Sequence, residues 1–292
     1  MSPAGRADVR AKRASGKTVL KRPSAQTQKR PAVGPSPKMA DARKRAGLED
    51  KDAVGVDSNG QRYSSLTSFW TDELNEEGGR ERWYAQAQGY WEGKAATMDG
   101  IMAGYAHTSE PDLIESRMFL DKLCKLEEPP MLALALDCGA GVGRVTEGLL
   151  QDVFAQVDLL EPSGRLLEAA KGRVKSSVAR NFIEEPLQTH VPEAGAYDVI
   201  WNQWVLLYLP DDDLIAWLRR CKEALRPAGV MCVKENVVIQ GVWHVDREDN
   251  SIMRTDEQYK AVFSSAGLEV IAEAIQENWP KTLFPVKMYA LR

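Results

Sequence analysis

Asp137-Cys138-Gly139-Ala140-Gly141-Val142-Gly143-Arg144 is the stretch on which the fold turns. Before it, residues 131–136 (MLALAL) form a short apolar run of the kind that makes a buried strand, and after it a helical stretch continues through Leu150. Glycine has no Cβ, so the chain can turn sharply here and bring its backbone N–H groups close to a ligand. The helix N-terminus that follows favours anionic groups. Residues 155–160 read as a second strand, and Glu161 ends it, about where a carboxylate can accept hydrogen bonds from both hydroxyls of a ribose.

The alternation continues in both directions. A helix is expected over 163–174, a third strand over 179–183, a fourth over 197–202 and a helix over 211–224. Arg226-Pro227-Ala228-Gly229 then reads as a turn into a strand over 230–234. This order predicts an α/β fold: an open, mostly parallel sheet with helices on both faces. Residues 268–276 and 283–291 differ, reading as two strands around Asn278-Trp279-Pro280 and hence as a terminal antiparallel hairpin. Upstream lies a helical extension. One helix spans 79–91, and a second spans 112–126, with Ile114, Met118, Leu120 and Leu123 expected on or near its buried face. No internal repeat is evident.

Either a dinucleotide or S-adenosylmethionine suits such a turn. A dinucleotide site wants G-x-G-x-x-G, but Arg144 stands at the last position, with glycine one place early. S-adenosylmethionine has no pyrophosphate; its carboxylate can pair with Arg144, and its ammonium with Asp137. The terminal hairpin also fits a methyltransferase better than a dehydrogenase.

The 292 residues carry a formal net charge of −4 that conceals a division. Residues 1–46 hold 13 Lys and Arg against two Asp, whereas the remainder carries 25 basic and 40 acidic groups. Residues 1–47 are rich in Lys, Arg, Pro, Ser and Ala and free of aromatic residues, and residues 1–64 are expected to be a disordered basic tail and linker, with the folded domain over 65–292. Clusters at Lys12-Arg13, Lys21-Arg22, Lys29-Arg30 and Arg43-Lys44-Arg45 suit nuclear import or weak nucleic-acid contact, an acid-poor organellar transit peptide, or a plain solvated tail. Four widely spaced cysteines without CxxC pairs, and three histidines without ligand spacing, argue against a disulfide framework or a metal site. No apolar run approaches the roughly 20 residues of a membrane span, so a soluble protein is expected.

Four segments are specific enough to identify a family: residues 90–105 (YWEGKAATMDGIMAGY), 136–146 (LDCGAGVGRVT), 198–209 (DVIWNQWVLLYL) and 219–236 (RRCKEALRPAGVMCVKEN). Together with the ending from Ser265 to Arg292, they closely resemble the protein alpha-N-methyltransferases. The resemblance covers roughly residues 80–292 and excludes the basic tail. It implies a Rossmann-like class I methyltransferase with a seven-stranded sheet. The implied reaction moves methyl groups from S-adenosylmethionine to the free α-amino group of proteins beginning Xaa-Pro-Lys or Xaa-Pro-Arg, with chromatin or ribosomal substrates in nucleus and cytoplasm.

Carried over by motif, the cofactor positions are Trp91, Gly139, Gly141, Arg144, Glu161, Leu187, Gln188 and Gln203. The resemblance makes Tyr90, Trp204 and Asp246 substrate contacts, and Asp249, Asn236 and Tyr208 the catalytic set. Two departures stand out: Tyr208 where relatives commonly have His, and Phe284 where Tyr is common. A phenol is a poor base at neutral pH, so Tyr208 is read as a hydrogen-bonding orienter and Asp249 as the proton acceptor. Without the resemblance, Tyr90 and Trp91 would be ordinary core aromatics, and Asp246, Glu248 and Asp249 a solvated loop. Three other functions compete: a methyltransferase for small amines, whose acidic loop would bind a polyamine-like substrate; a non-catalytic cofactor-binding or nucleic-acid-tethering protein; and, most distantly, a dehydrogenase.

Overall fold

The structure is a computed structural model that describes residues 55–239 and 241–292. The expectation for the basic tail lies outside these residues as far as 54. The chain runs β1 (Gly55–Asp57), β2 (Arg62–Tyr63), α1 (Leu66–Leu74), α2 (Gly79–Glu92), α3 (Met98–Ile101) and α4 (Ser109–Leu123). It continues with β3 (Leu134–Cys138), α5 (Arg144–Gly148), β4 (Gln156–Leu160), α6 (Gly164–Lys171), β5 (Ala179–Ile183), β6 (Tyr197–Gln203) and α7 (Asp211–Ala224). The last elements are β7 (Leu225–Asn236), β8 (Trp243–Asp246), β9 (Ser251–Met253), α8 (Asp256–Ser265), β10 (Val270–Ile275) and β11 (Val286–Leu291).

Seven strands form the main sheet in the order β10-β11-β7-β6-β3-β4-β5. The pairs among β7, β6, β3, β4 and β5 are parallel, and β11 is antiparallel to both of its neighbours, so the hairpin expected at the end of the sequence is present. Both faces are covered, as strand alternation requires. Leu136, Ile200, Met231 and Val233 pack with Trp217 and Leu218 of α7 and Phe263 of α8. Their neighbours Ala135, Val199, Trp201, Val230 and Cys232 pack with Phe119, Leu120 and Leu123 of α4. All four cysteines are free, and among the described residues no helix is long and apolar enough to cross a membrane.

Three expectations need correction. Residues 55–63, assigned to the linker, are strands β1 and β2; β1 pairs with β8 in a second sheet of order β2-β1-β8-β9. That sheet closes on an aromatic cluster of Phe69, Trp70, Trp83 and Trp243, so partners distant in sequence order a segment with little local signal. On α4, Ile114 and Met118 are 53% and 65% exposed, and the inward face is instead Asp112, Ser116, Phe119, Leu120 and Leu123. Apolar periodicity misplaced this face because two of its inward positions are polar. Finally, 226–229 is a bulge within β7, with Ala228 at φ +62°, rather than a separate turn.

Candidate active site

The site lies where β3, β4, β6 and β7 end. Gly139, Gly141 and Gly143 all have positive φ (+68°, +55° and +80°), so a side chain at any of them would be strained. At Gly139 a Cβ would also stand 2.7 Å from Val205, a clash of close packing. The turn is held by Glu161, whose carboxylate accepts from the N–H of Gly141 at 3.0 Å and of Ser163 at 3.1 Å. Burial pushes the Glu161 carboxyl up to about 7, against the pull of those two N–H groups. Hydroxyl donors arriving there would favour its charged form. Asp137, at the end region of β3, accepts from Thr146 Oγ1 at 2.6 Å, and burial lifts it to about 6.

Arg144 is not a lone cation. Its Nη1 donates to Asp112 at 2.8 Å and to Ser109 Oγ at 3.3 Å. Asp112 also meets Lys234 Nζ at 2.6 Å and accepts from Gln203 Nε2 at 2.9 and 3.0 Å. Lys234 donates further to Ser116 Oγ at 2.8 Å. Two cations thus converge on one buried carboxylate beside the glycine turn, and Arg144 also acts through space on Asp137. Asp112 and Lys234 are the functional candidates that sequence reasoning missed. The one visible signal was a lysine inside the apolar strand VMCVKEN.

A second cluster joins α2, the short 3-10 turn Leu206–Tyr208 and the β8–β9 connection. Trp91 Nε1 donates to Tyr208 Oη at 3.0 Å, and Tyr208 Oη donates to Asp249 Oδ2 at 3.4 Å. Tyr90 stands edge-on to Trp91, with ring centroids 5.2 Å apart. Burial, reinforced by neighbouring Asp246, pushes the Asp249 carboxyl up to about 7. Burial and the Asp249 charge hold the Tyr208 phenol well above its ordinary value, so it stays a neutral donor. The stretch read as an acidic loop is in fact a hairpin turn that half-buries Asp249.

The remaining positions are spread more widely. Asn236 ends β7, buried and paired by backbone to Val286. Trp204 follows β6 with φ +53°, a conformation a bulky residue rarely adopts, and its ring lies 5.0 Å from the Arg144 guanidinium carbon. Leu187 packs its side chain in the core on the α7 face of the sheet, and the backbone carbonyls of Leu187 and Gln188 accept from Arg220 at 2.8 and 3.2 Å. No hydrogen bond described here joins these two to the other candidates. Phe284 is buried beside His244, with ring centroids 5.5 Å apart. Among the described residues no group of His, Cys, Asp and Glu is arranged to hold a metal.

A family model described as AdoMet dependent proline di-methyltransferase matches residues 79–292. Alpha N-terminal protein methyltransferase 1 of Arabidopsis thaliana is 40% identical over 252 residues, covering 82% of this chain and 91% of its own. N-terminal Xaa-Pro-Lys N-methyltransferase 1 of Mus musculus is 40% identical over 227 residues, covering 76% of this chain and 100% of its own. Among solved structures, a SAM-dependent methyltransferase of Leishmania major matches with a TM-score of 0.77 at 38% identity, covering 82% of this chain and 96% of its own. On fold, glycine turn and family match together, the chain belongs to the AdoMet-dependent proline di-methyltransferase family, with the Rossmann-like class I fold of S-adenosylmethionine-dependent enzymes.

Proposed function

We propose that this protein methylates the free α-amino group of proteins beginning Xaa-Pro-Lys or Xaa-Pro-Arg. The observation that carries this reading is Asp249, a half-buried carboxyl raised to about 7 beside Asp246 and Tyr208. An α-amino group has a pKa near 7.7–8.0, so at neutral pH much of it carries a proton that must leave before the nitrogen can attack. A base matched to that range suits the task. Tyr208, receiving a hydrogen bond from Trp91, directs its own proton at Asp249 and orients it. Asp246 and Asp249 together favour a cation, which fits the third-position Lys or Arg. Asn236 holds the substrate backbone, and Trp204 and Tyr90 offer faces for the proline.

The cofactor, when bound, supplies an electrophilic methyl group on a sulfonium; the chain supplies position and proton removal. We assign Glu161 to the ribose hydroxyls, Gly139 and Gly141 to close backbone approach, and Asp137 to the ammonium. Arg144, with Gln203 in the same network, is assigned to the carboxylate. Among the described residues, the hydrogen bonds of Arg144 to Asp112 and Ser109 both use Nη1. Arg144→Ala is therefore expected to weaken cofactor binding by about 1.5–3 kcal/mol. Calorimetry decides it; unchanged affinity would make Arg144 a purely structural cation.

The activity itself is tested by mass spectrometry of an Xaa-Pro-Lys peptide after incubation with enzyme and cofactor, alongside a panel of small amines. Methylation at the peptide's α-nitrogen supports the proposal, and turnover of the amines alone would reassign the enzyme to small molecules. Within the peptide, changing the third-position Lys to Gln is expected to lower kcat/KM about tenfold, the worth of one charge-assisted contact. Equal rates would show that Asp246 and Asp249 do not read that position. The basic clusters of the tail support entry to the nucleus from the cytoplasm, and with it chromatin or ribosomal substrates. Imaging the tagged chain with and without residues 1–46 tests this.

A further inference from the structure

What holds the Trp204 indole in place is the least explained feature of the amine end. Its backbone is left-handed, at φ +53°. Its Nε1 is buried and finds no acceptor among the described residues, so no hydrogen bond fixes the ring. The ring contacts are what remain: the Arg144 guanidinium at 5.0 Å, and the Trp279 indole at a centroid distance of 6.0 Å and a tilt of 39°.

Trp279 comes from the β10–β11 connection, and it is itself fastened. Its Nε1 donates to the carbonyl of Phe284 at 3.0 Å, bracing the loop across its own width. The Glu115 carboxylate on α4 accepts from the N–H groups of Glu277 and Asn278 at 2.7 and 2.6 Å, tying the loop to the helix. Phe284 packs with Val238 and Met253, which anchors the far side of the loop. A chain of contacts therefore runs from α4 through the loop to Trp279 and on to Trp204. Its hydrogen bonds involve neither the glycines of the turn nor Glu161, and it meets the cofactor side where the Trp204 ring lies 5.0 Å from the Arg144 guanidinium.

We propose, building on the peptide substrate inferred for this site, that Trp279 is a specificity-determining residue that positions Trp204 against the second-residue proline. An indole without a hydrogen bond is oriented by what it packs on, and paired aromatic rings interact favourably beyond their buried area. With Trp279 present, the Trp204 face is set before the peptide arrives. Without it, the peptide must order that ring on binding, and affinity falls.

The test compares the full-length wild type, Trp279→Ala and Trp279→Phe on Ser-Pro-Lys and Ser-Ala-Lys peptides, with calorimetry of S-adenosylhomocysteine in parallel. Trp279→Ala should raise KM for the proline peptide about tenfold and narrow the preference for proline over alanine. It should leave kcat at saturation within about threefold and product-cofactor affinity within about twofold. Trp279→Phe should restore most of the loss, and it also carries the test if the alanine variant melts early. An unchanged KM and an unchanged proline preference overturn the proposal. So does cofactor affinity falling in step with KM, which marks a general structural role. Failure of the peptide reading itself shows in the wild type alone, as turnover of small amines and of neither peptide, and it takes this inference with it.

Discussion

Asp249→Asn is expected to lower kcat at pH 7 by about 10²–10³-fold while leaving cofactor affinity unchanged. The amide keeps the shape of the carboxyl and can still meet Tyr208, but it cannot take a proton. Burial and the Asp246 charge raise this carboxyl to about 7, so in the wild type activity should climb as pH rises through that value and the base becomes ionised. In the variant that step disappears. What remains follows the substrate amine, so raising the pH toward 9 should recover part of the rate. Stability should move the opposite way. An aspartate that is neutral in the native state at pH 5 but ionised when unfolded makes the native state bind more protons, so stability falls as pH rises from about 4 to about 7. Asn carries no such penalty. The variant should therefore melt above the wild type at pH 8, with the gap opening between about pH 4 and 7 and constant beyond. Near-normal turnover at pH 7 would place the base elsewhere or give the role to water. A variant less stable at pH 8 would show that the carboxylate is welcomed by its surroundings.

The parallel sheet and its hairpin were legible because each strand combines an apolar run with a turn signal, and because α7 shows apolar positions at helical spacing beneath three leading aspartates. The cofactor side was legible for a local reason: the glycine turn and Glu161 lie within one βαβ step, and the structure joins them by a single hydrogen bond. The amine side was not legible in this way. Trp91, Tyr208 and Asp249 meet through bonds spanning 117 and 41 positions of chain, and only the family resemblance proposed them together. Strands β1, β2, β8 and β9 escaped for the same reason, being short segments that exist through pairing with one another. The inward face of α4 escaped for a different one: apolar periodicity cannot register a helix that points an aspartate at the core, because the cations that make this tolerable lie on β7 and α5.

That aspartate also sets the largest expected effect on stability. Asp112→Ala is expected to destabilise the fold by about 3–5 kcal/mol, because it strips two buried cations of their counter-ion. Asp112 is 0% exposed and Lys234 1%, so water cannot take the carboxylate's place. Burial pushes the Asp112 carboxyl upward, yet Arg144 and Lys234 outweigh it and hold the group below its ordinary range. Burial draws Lys234 downward from its ordinary value even with Asp112 beside it, so the lysine bears the cost if the carboxylate goes. After the substitution the hydrogen bonds left to Lys234 among the described residues go to the residue-112 backbone carbonyl and Ser116 Oγ, both neutral, with the Glu115 carboxylate acting on it only through space. Because the native carboxyl is depressed, its contribution is complete above about pH 4 and is lost in stronger acid. Denaturant melts of wild type and variant should therefore differ fully at pH 7 and converge as the pH falls below that value. A difference under about 1 kcal/mol at pH 7 would mean that the network is incidental. A second substitution separates charge from architecture. Adding Lys234→Met to Asp112→Ala removes the orphaned ammonium, and most of the lost stability should return. Cofactor affinity should stay low in the double variant, since Arg144 still lacks the carboxylate that holds its Nη1 at the glycine turn. If affinity returned together with stability, Asp112 would serve only to neutralise Lys234 and would have no part in aiming Arg144.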